Sequence, residues 1–327
     1  MNYKSVADLN ADIIQGLHLL PQDVDLIVGV PRSGMLAASI LATHSHLPLI
    51  DVDGFIQSRP AWFGWTKRLS DRNRPELWEK STDAIRPLLF DDSFCSGKTM
   101  DEAMSLLKRA GCHHDFYKGV AYINHENKGC VDFYLQVVNL PRVFEWNLMN
   151  HSIMEHSCVD IDGVLCRDPT ESENDDSDNY LDFLLNVPAR HKPSIEIGRL
   201  VTSRLEKYRK QTEQWLKNNN IQYDELIMLD LPSAEERRRQ GTHGSFKASV
   251  YKDSKARLFV ESSYKQSMEI AELSGKPVLC YENGHIVWPD GFRSAWAKQK
   301  YKVSHGGWKR CVPAPLRAMY RKSRGRA

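Results

Sequence analysis

The 327-residue chain has no uninterrupted apolar run approaching the roughly 20 residues that a bilayer-spanning helix needs. Its first fifteen residues lack a hydrophobic signal core and carry Asp8 and Asp12, so the expected compartment is the cytoplasm. Cys-x-x-Cys spacing is absent and the seven cysteines are odd in number, which predicts neither a disulfide framework nor a structural zinc site. Negative charge is missing from one end: Gly291 to Ala327 holds eleven Lys and Arg and no Asp or Glu. The chain's net charge is +2, so these eleven cations leave a net −9 on the first 290 residues. Length and a 41% hydrophobic content suit two soluble domains.

The most informative stretch runs from Pro87 to Met100. Four apolar residues lead into Asp91 and Asp92, then a small-residue loop closed by Ser96-Gly97-Lys98-Thr99, then a helical run from Asp101 to Arg109. Backbone N–H groups in such a loop and in the first helical turn can nest an anion, with Ser93, Ser96 and Thr99 adding hydroxyls. Carboxylates beside a bound phosphate suit ribose hydroxyls or a metal. A triphosphate-binding loop needs a glycine five residues before Gly97, and Asp92 stands there. A solvated strand-to-helix turn uses the same residue types.

The stretch resembles the signature of the type I phosphoribosyltransferases. The resemblance implies that Asp91 and Asp92 bind the ribose 2- and 3-hydroxyls of phosphoribosyl pyrophosphate (PRPP). Ser93, Phe94, Cys95, Ser96, Gly97, Lys98 and Thr99 would hold its 5-phosphate. Upstream, the strand Val24–Val30 ends in Pro31-Arg32-Ser33-Gly34 before a helix from Leu36 to Thr43. That loop is similar to the family's pyrophosphate loop, with Arg32 as the charge, Ser33 as a donor and Gly34 at the turn. Between Gly54 and Lys80 cations alternate with tryptophans, as in a lid or a disordered segment. The family's mobile loop falls here, with Lys67 and Arg68 as lid candidates. Leu140–Asn150, with Phe144 and Trp146, is expected to serve packing.

A second acidic stretch, His156 to Cys166, reads as a strand that delivers Asp160 and Asp162 to one face before Gly163 turns the chain. Adjacent carboxylates call for a cation or a shared proton, and Mg²⁺ is the economical answer. An exposed turn is the plainer alternative. The stretch resembles motif one of the haloacid dehalogenase (HAD) superfamily, which implies Asp160 as nucleophile and Asp162 as general acid/base. Carried onward, the resemblance implies Thr202 for motif two, with Ser203 as fallback, and Lys247 as the cation of motif three. Asp160, Asp162 and Glu261 would be the Mg²⁺ ligands, although Ser262 and Ser263 stand where a second motif-four carboxylate is usual.

These resemblances predict an α/β chain of two Rossmann-like parallel-sheet domains: a phosphoribosyltransferase at 1–150 and a HAD-like phosphatase at 151–290. A basic aromatic tail follows at 291–327. The implied activity is transfer of 5-phosphoribosyl from PRPP with loss of pyrophosphate, then removal of the 5-phosphate. Cys95 occupies the position where purine-salvage members carry an Asp, which disfavours a purine acceptor and makes a sugar hydroxyl attractive. The expected product is ribofuranose on a bacterial surface glycan, possible partners being a lipid-linked acceptor, a membrane surface held by the tail, and a second copy in a homodimer. An orotate-like transferase with a nucleotidase, and a PRPP-sensing regulator that binds nucleic acid, stay open as alternatives.

Overall fold

The structure, a computed structural model, describes residues 1–61, 80–174, 176–233 and 243–289, together with 235, 236, 239 and 241. The lid candidates Lys67 and Arg68 and the basic tail lie outside the described residues. The chain divides into two compact units, the first spanning Met1–His151 and the second starting at Ser152.

Unit 1 opens with β1 (Asn2–Lys4) and α1 (Val6–Gly16), followed by β2 (Leu26–Gly29), α2 (Ser33–Ser45), β3 (Leu49–Asp51) and α3 (Val52–Ile56). After them come β4 (Pro87–Phe94), α4 (Lys98–Arg109), β5 (Tyr117–Ile123), β6 (Phe133–Val137) and β7 (Arg142–Phe144). Five strands form a parallel sheet in the order β3-β2-β4-β5-β6. Alternation along the strands feeds two layers. Ile27, Leu88 and Phe90 pack with Leu9, Ile13, Ala38 and Leu41 of α1 and α2, while Val28 and Leu89 pack with Phe55, Met100 and Leu107 of α3 and α4. Each such fully buried aliphatic contributes about 1.5–3 kcal/mol.

The sequence pattern predicts one helix from Asn2 to Leu20; the chain instead pairs Asn2–Lys4 with Arg142–Phe144 as a parallel two-stranded ribbon. Ser5 then starts α1 by a reciprocal capping box with Asp8. Strand β4 also continues through the acidic pair instead of stopping before it. Because β2 lies between β3 and β4, the chain direction switches at the β2–β4 boundary, and the crevice at their C-terminal ends is where such sheets take ligands.

Unit 2 contains β8 (Ser157–Val159), α5 (Asp178–Asn186), β9 (Ile197–Leu205), α6 (Arg209–Asn218) and β10 (Tyr223–Leu229). It continues with α7 (His243–Asp253), β11 (Leu258–Glu261), α8 (Tyr264–Ser274), β12 (Val278–Cys280) and β13 (His285–Val287). The sheet order is β10-β9-β8-β11-β12-β13, parallel except for β13. Cys158, Val201, Phe259 and Val278 pack against Ala248 and Tyr251 of α7 and Ile270 and Ala271 of α8. Here the switch point falls between β8 and β11. Both units are therefore α/β with parallel sheets, and in each the acidic motif follows or ends a strand at the switch.

Candidate functional site

The unit 1 motifs meet in a cavity of about 380 Å³ lined by Pro31, Arg32 and Ser33 on one side and by residues Asp91–Met100 on the other, with Asn147 completing the wall. Helices α2 and α4 both begin there, and neither has a side-chain cap. Their first-turn N–H groups, which no helical carbonyl can reach, and their positive dipole ends are suited to an anion at each helix start. Two glycines permit this geometry. Gly97 takes a left-handed φ of +81° at the start of α4, where Phe94 leaves no room for a Cβ. At Gly34 a Cβ would lie 3.0 Å from the Asp91 Cα, so only glycine lets α2 start against β4.

Between the two helix ends lies the acidic pair, both members buried. Asp91 Oδ1 accepts the Asp92 backbone N–H at 2.8 Å. Burial, reinforced by the neighbouring Asp92 charge, pushes the Asp91 carboxyl up to about 8. Asp92 Oδ1 accepts from Ser33 Oγ at 3.2 Å and its Oδ2 from Trp146 Nε1 at 2.6 Å. The loop from Phe94 to Thr99 is braced as well: Arg142 donates to the Phe94 carbonyl at 2.6 Å, and Asn127 to the Cys95 carbonyl at 2.5 Å. Arg32, exposed at the mouth, donates from Nη2 to Asn147 Oδ1 at 2.7 Å. The structure thus brings together every predicted residue from Arg32 to Gly34 and from Asp91 to Thr99. It adds Arg142, Trp146 and Asn147, from the segment whose sequence predicts only packing.

In unit 2, β8 ends at Val159, so Asp160 and Asp162 sit in the turn beyond it and not on one strand face. They face different cations. The Lys247 ammonium lies 2.6 Å from Asp160 Oδ2 and 2.7 Å from Glu261 Oε2, with Gln266 Oε1 at 3.1 Å. Arg204, fully buried, reaches Asp162 Oδ1 at 2.7 Å from Nη2 and both carboxylate oxygens at 3.1 Å from Nε. Burial is the largest influence on Asp160 and, with the charges of Glu261 and Asp162, raises its carboxyl to about 8 against the pull of Lys247. For Lys247 burial works against the charge, but Asp160 and Glu261 outweigh it and hold the ammonium above its ordinary pKa. Arg204 is held up in the same way by Asp162, against its own burial.

Thr202 is buried on β9 and accepts the Arg204 N–H at 3.2 Å; among the described residues it makes no hydrogen bond to Asp160, Asp162 or Lys247. Lys247 sits in the second turn of α7. Arg204 is absent from the sequence reading, although its place two residues after Thr202 on a strand signals a shared face. Asp168, just beyond the turn that holds Asp160 and Asp162, places a carboxylate oxygen 2.8 Å from where a Cβ on Gly163 would stand.

Oxygen donors of Asp160, Asp162 and Glu261 suit Mg²⁺ chemically. Yet among the described residues no group of three or more His, Cys, Asp or Glu is arranged to hold a metal ion. Lys247 takes the place between Asp160 and Glu261, and Arg204 takes both oxygens of Asp162. As arranged, the positive charge beside the carboxylates comes from Lys247 and Arg204. Among the described residues no helix is long and apolar enough to cross a membrane.

No protein-family model matches the chain, and comparison with curated proteins gives no significant match. Solved phosphoribosyltransferases are similar in structure over the N-terminal part. A purine phosphoribosyltransferase from Pyrococcus horikoshii shares 20% identity at a TM-score of 0.30, covering 44% of this chain and 92% of that one. The Helicobacter pylori xanthine-guanine-hypoxanthine enzyme shares 15% identity at 0.30, covering 45% and 92%. An orotate phosphoribosyltransferase from Aeropyrum pernix shares 16% at 0.28, covering 40% and 71%. A likeness at these scores carries no argument about function, which rests on the geometry above.

Proposed function

We propose that unit 1 transfers 5-phosphoribosyl from PRPP to an acceptor with release of pyrophosphate, and that unit 2 then removes the 5-phosphate. The observation that carries the reading is one cavity with an uncapped helix N-terminus at each end and a buried acidic pair between them. PRPP has that order of chemistry: phosphate, ribose diol, diphosphate. The 5-phosphate would sit in the nest of Ser96 to Thr99 at α4, the diol on Asp91 and Asp92, and the diphosphate by Arg32 and Ser33 at α2. In unit 2 an Asp160 oxygen would attack phosphorus as the sugar–oxygen–phosphorus bond breaks. The departing oxygen would take a proton at Asp162, and water would release inorganic phosphate from the aspartyl-phosphate. Lys247 stands where it can offset charge on the phosphoryl oxygens. The reading of unit 2 rests on this cluster and on the motif resemblance.

The acceptor follows from Cys95, a thiol where a purine base would call for a carboxylate. It supports a sugar hydroxyl, on a bacterial surface glycan, as the acceptor. Incubating the chain with PRPP and Mg²⁺ against a panel of nucleobases and glycan acceptors, with pyrophosphate and inorganic phosphate followed separately, tests both halves. Pyrophosphate release that depends on a glycan is the expected result; release that requires a free nucleobase would sink the glycan reading.

The Asp91 carboxyl adds a pH signature. Ionised, it accepts strong charge-assisted hydrogen bonds from a ribose hydroxyl; protonated, it keeps only a weaker neutral acceptor. PRPP affinity should therefore rise between pH 6.5 and 9, through the value near 8, as titration calorimetry would show. Linkage runs the other way for folding. The native Asp91 holds a proton that the unfolded chain sheds near pH 4, so its contribution to stability declines from about pH 4 to about pH 8. A flat affinity profile across pH 8 would remove Asp91 from the diol site.

A further inference from the structure

Three side chains from β7 and the turn after it each touch a different part of the unit 1 cavity wall. Arg142 holds the phosphate loop at Phe94, Trp146 holds Asp92, and Asn147 holds Arg32. Of the three, Asn147 lines the cavity itself. Its Oδ1 is occupied by the Arg32 guanidinium, while its Nδ2 has no hydrogen-bond partner among the described residues. That leaves two N–H donors beside a cation, next to the uncapped start of α2. Such a cluster of donors suits an anion rich in oxygen acceptors, and on the reading above the diphosphate occupies this end.

We propose that Asn147 completes the diphosphate subsite: Oδ1 aims the Arg32 guanidinium, and Nδ2 donates to a diphosphate oxygen. An exposed arginine loses much rotamer freedom when it is fixed, so a partner that fixes it beforehand favours binding. The two halves of the claim separate under substitution. In Asn147→Asp the side chain still accepts from Arg32, and more strongly as a carboxylate, but it presents negative charge to the diphosphate. In Asn147→Ala both contacts go.

The inference rests on the PRPP reading, and the experiment keeps the two apart. Binding of PRPP with Mg²⁺ and of ribose 5-phosphate, which lacks the diphosphate, is measured by calorimetry on the full chain and both variants. Expected is a loss of PRPP affinity of about tenfold in Asn147→Ala and about 100-fold in Asn147→Asp, with ribose 5-phosphate bound alike by all three. Equal ribose 5-phosphate affinity also shows that the variants are folded. Asn147→Asp binding PRPP at least as well as wild type would reduce Asn147 to an anchor for Arg32 and overturn the proposal. Losses that extend equally to ribose 5-phosphate would overturn it too. A wild-type chain that ignores PRPP removes the underlying reading and this inference with it; wild-type binding with indifferent variants removes this inference alone.

Discussion

Asp160→Asn should cut release of inorganic phosphate by about 10³-fold or more while pyrophosphate release from PRPP continues at the wild-type rate. The amide keeps the size of the side chain and can still accept from Lys247, so the fold is expected to hold. What it loses is a nucleophilic oxygen able to carry the phosphoryl group. The two leaving products report on different units, because the Asp91–Asp92 cavity lies in the first compact unit and Asp160 in the second. The complementary variant, Asp92→Asn, should reverse the pattern: pyrophosphate release lost, and phosphate still freed from a ribosyl 5-phosphate product supplied ready-made. Phosphate release that survives Asp160→Asn would show that the carboxylate is structural and that unit 2 is no phosphatase of this kind.

Lys247→Met should destabilise unit 2 by about 3 kcal/mol. Methionine fills much of the volume, so the loss is electrostatic. The ammonium sits between two carboxylates, and all three side chains are at most 6% exposed. Removing the cation leaves two buried negative groups without a partner, unless one takes a proton. Asp160 is the one placed to do so, since burial already raises it to about 8. The sign follows. As pH rises, wild type can ionise Asp160 against Lys247 and the variant cannot. The deficit should therefore widen as pH rises through about 8. Hydrogen exchange at α7 and β11, compared at pH 6.5 and pH 9, gives the local measurement. Equal protection in variant and wild type at both pH values would mean that Lys247 does not balance this charge.

The stretch from Pro87 to Met100 shows what is legible in a linear chain. Its strand, turn and helix start occupy fourteen consecutive residues from Pro87 to Met100, and Gly97 announces the one backbone conformation the turn requires. The turn from Pro31 to Gly34 is equally local. By contrast, Trp146 and Asn147 lie 54 and 115 residues from the groups they hold. No periodicity marks a side chain whose partner is that distant, so the stretch reads as packing. Arg204 is an intermediate case, with a strand position that puts it on the face of Thr202 but a partner, Asp162, that lies 42 residues away.

Local chemistry, then, decided from the sequence alone that this is a chain of alternating strands and helices with two acidic turns, one beside a loop suited to an anion. Turn residues, caps and the two-residue period act over a few positions, and these are written in order along the chain. Only the tertiary structure decided what faces those acids: Ser33 and Trp146 on Asp92, Lys247 between Asp160 and Glu261, and Arg204 on Asp162. Burial and pairing belong to neighbours that the parallel sheets bring together through long crossovers, and those neighbours decide which donors and charges stand beside each carboxylate.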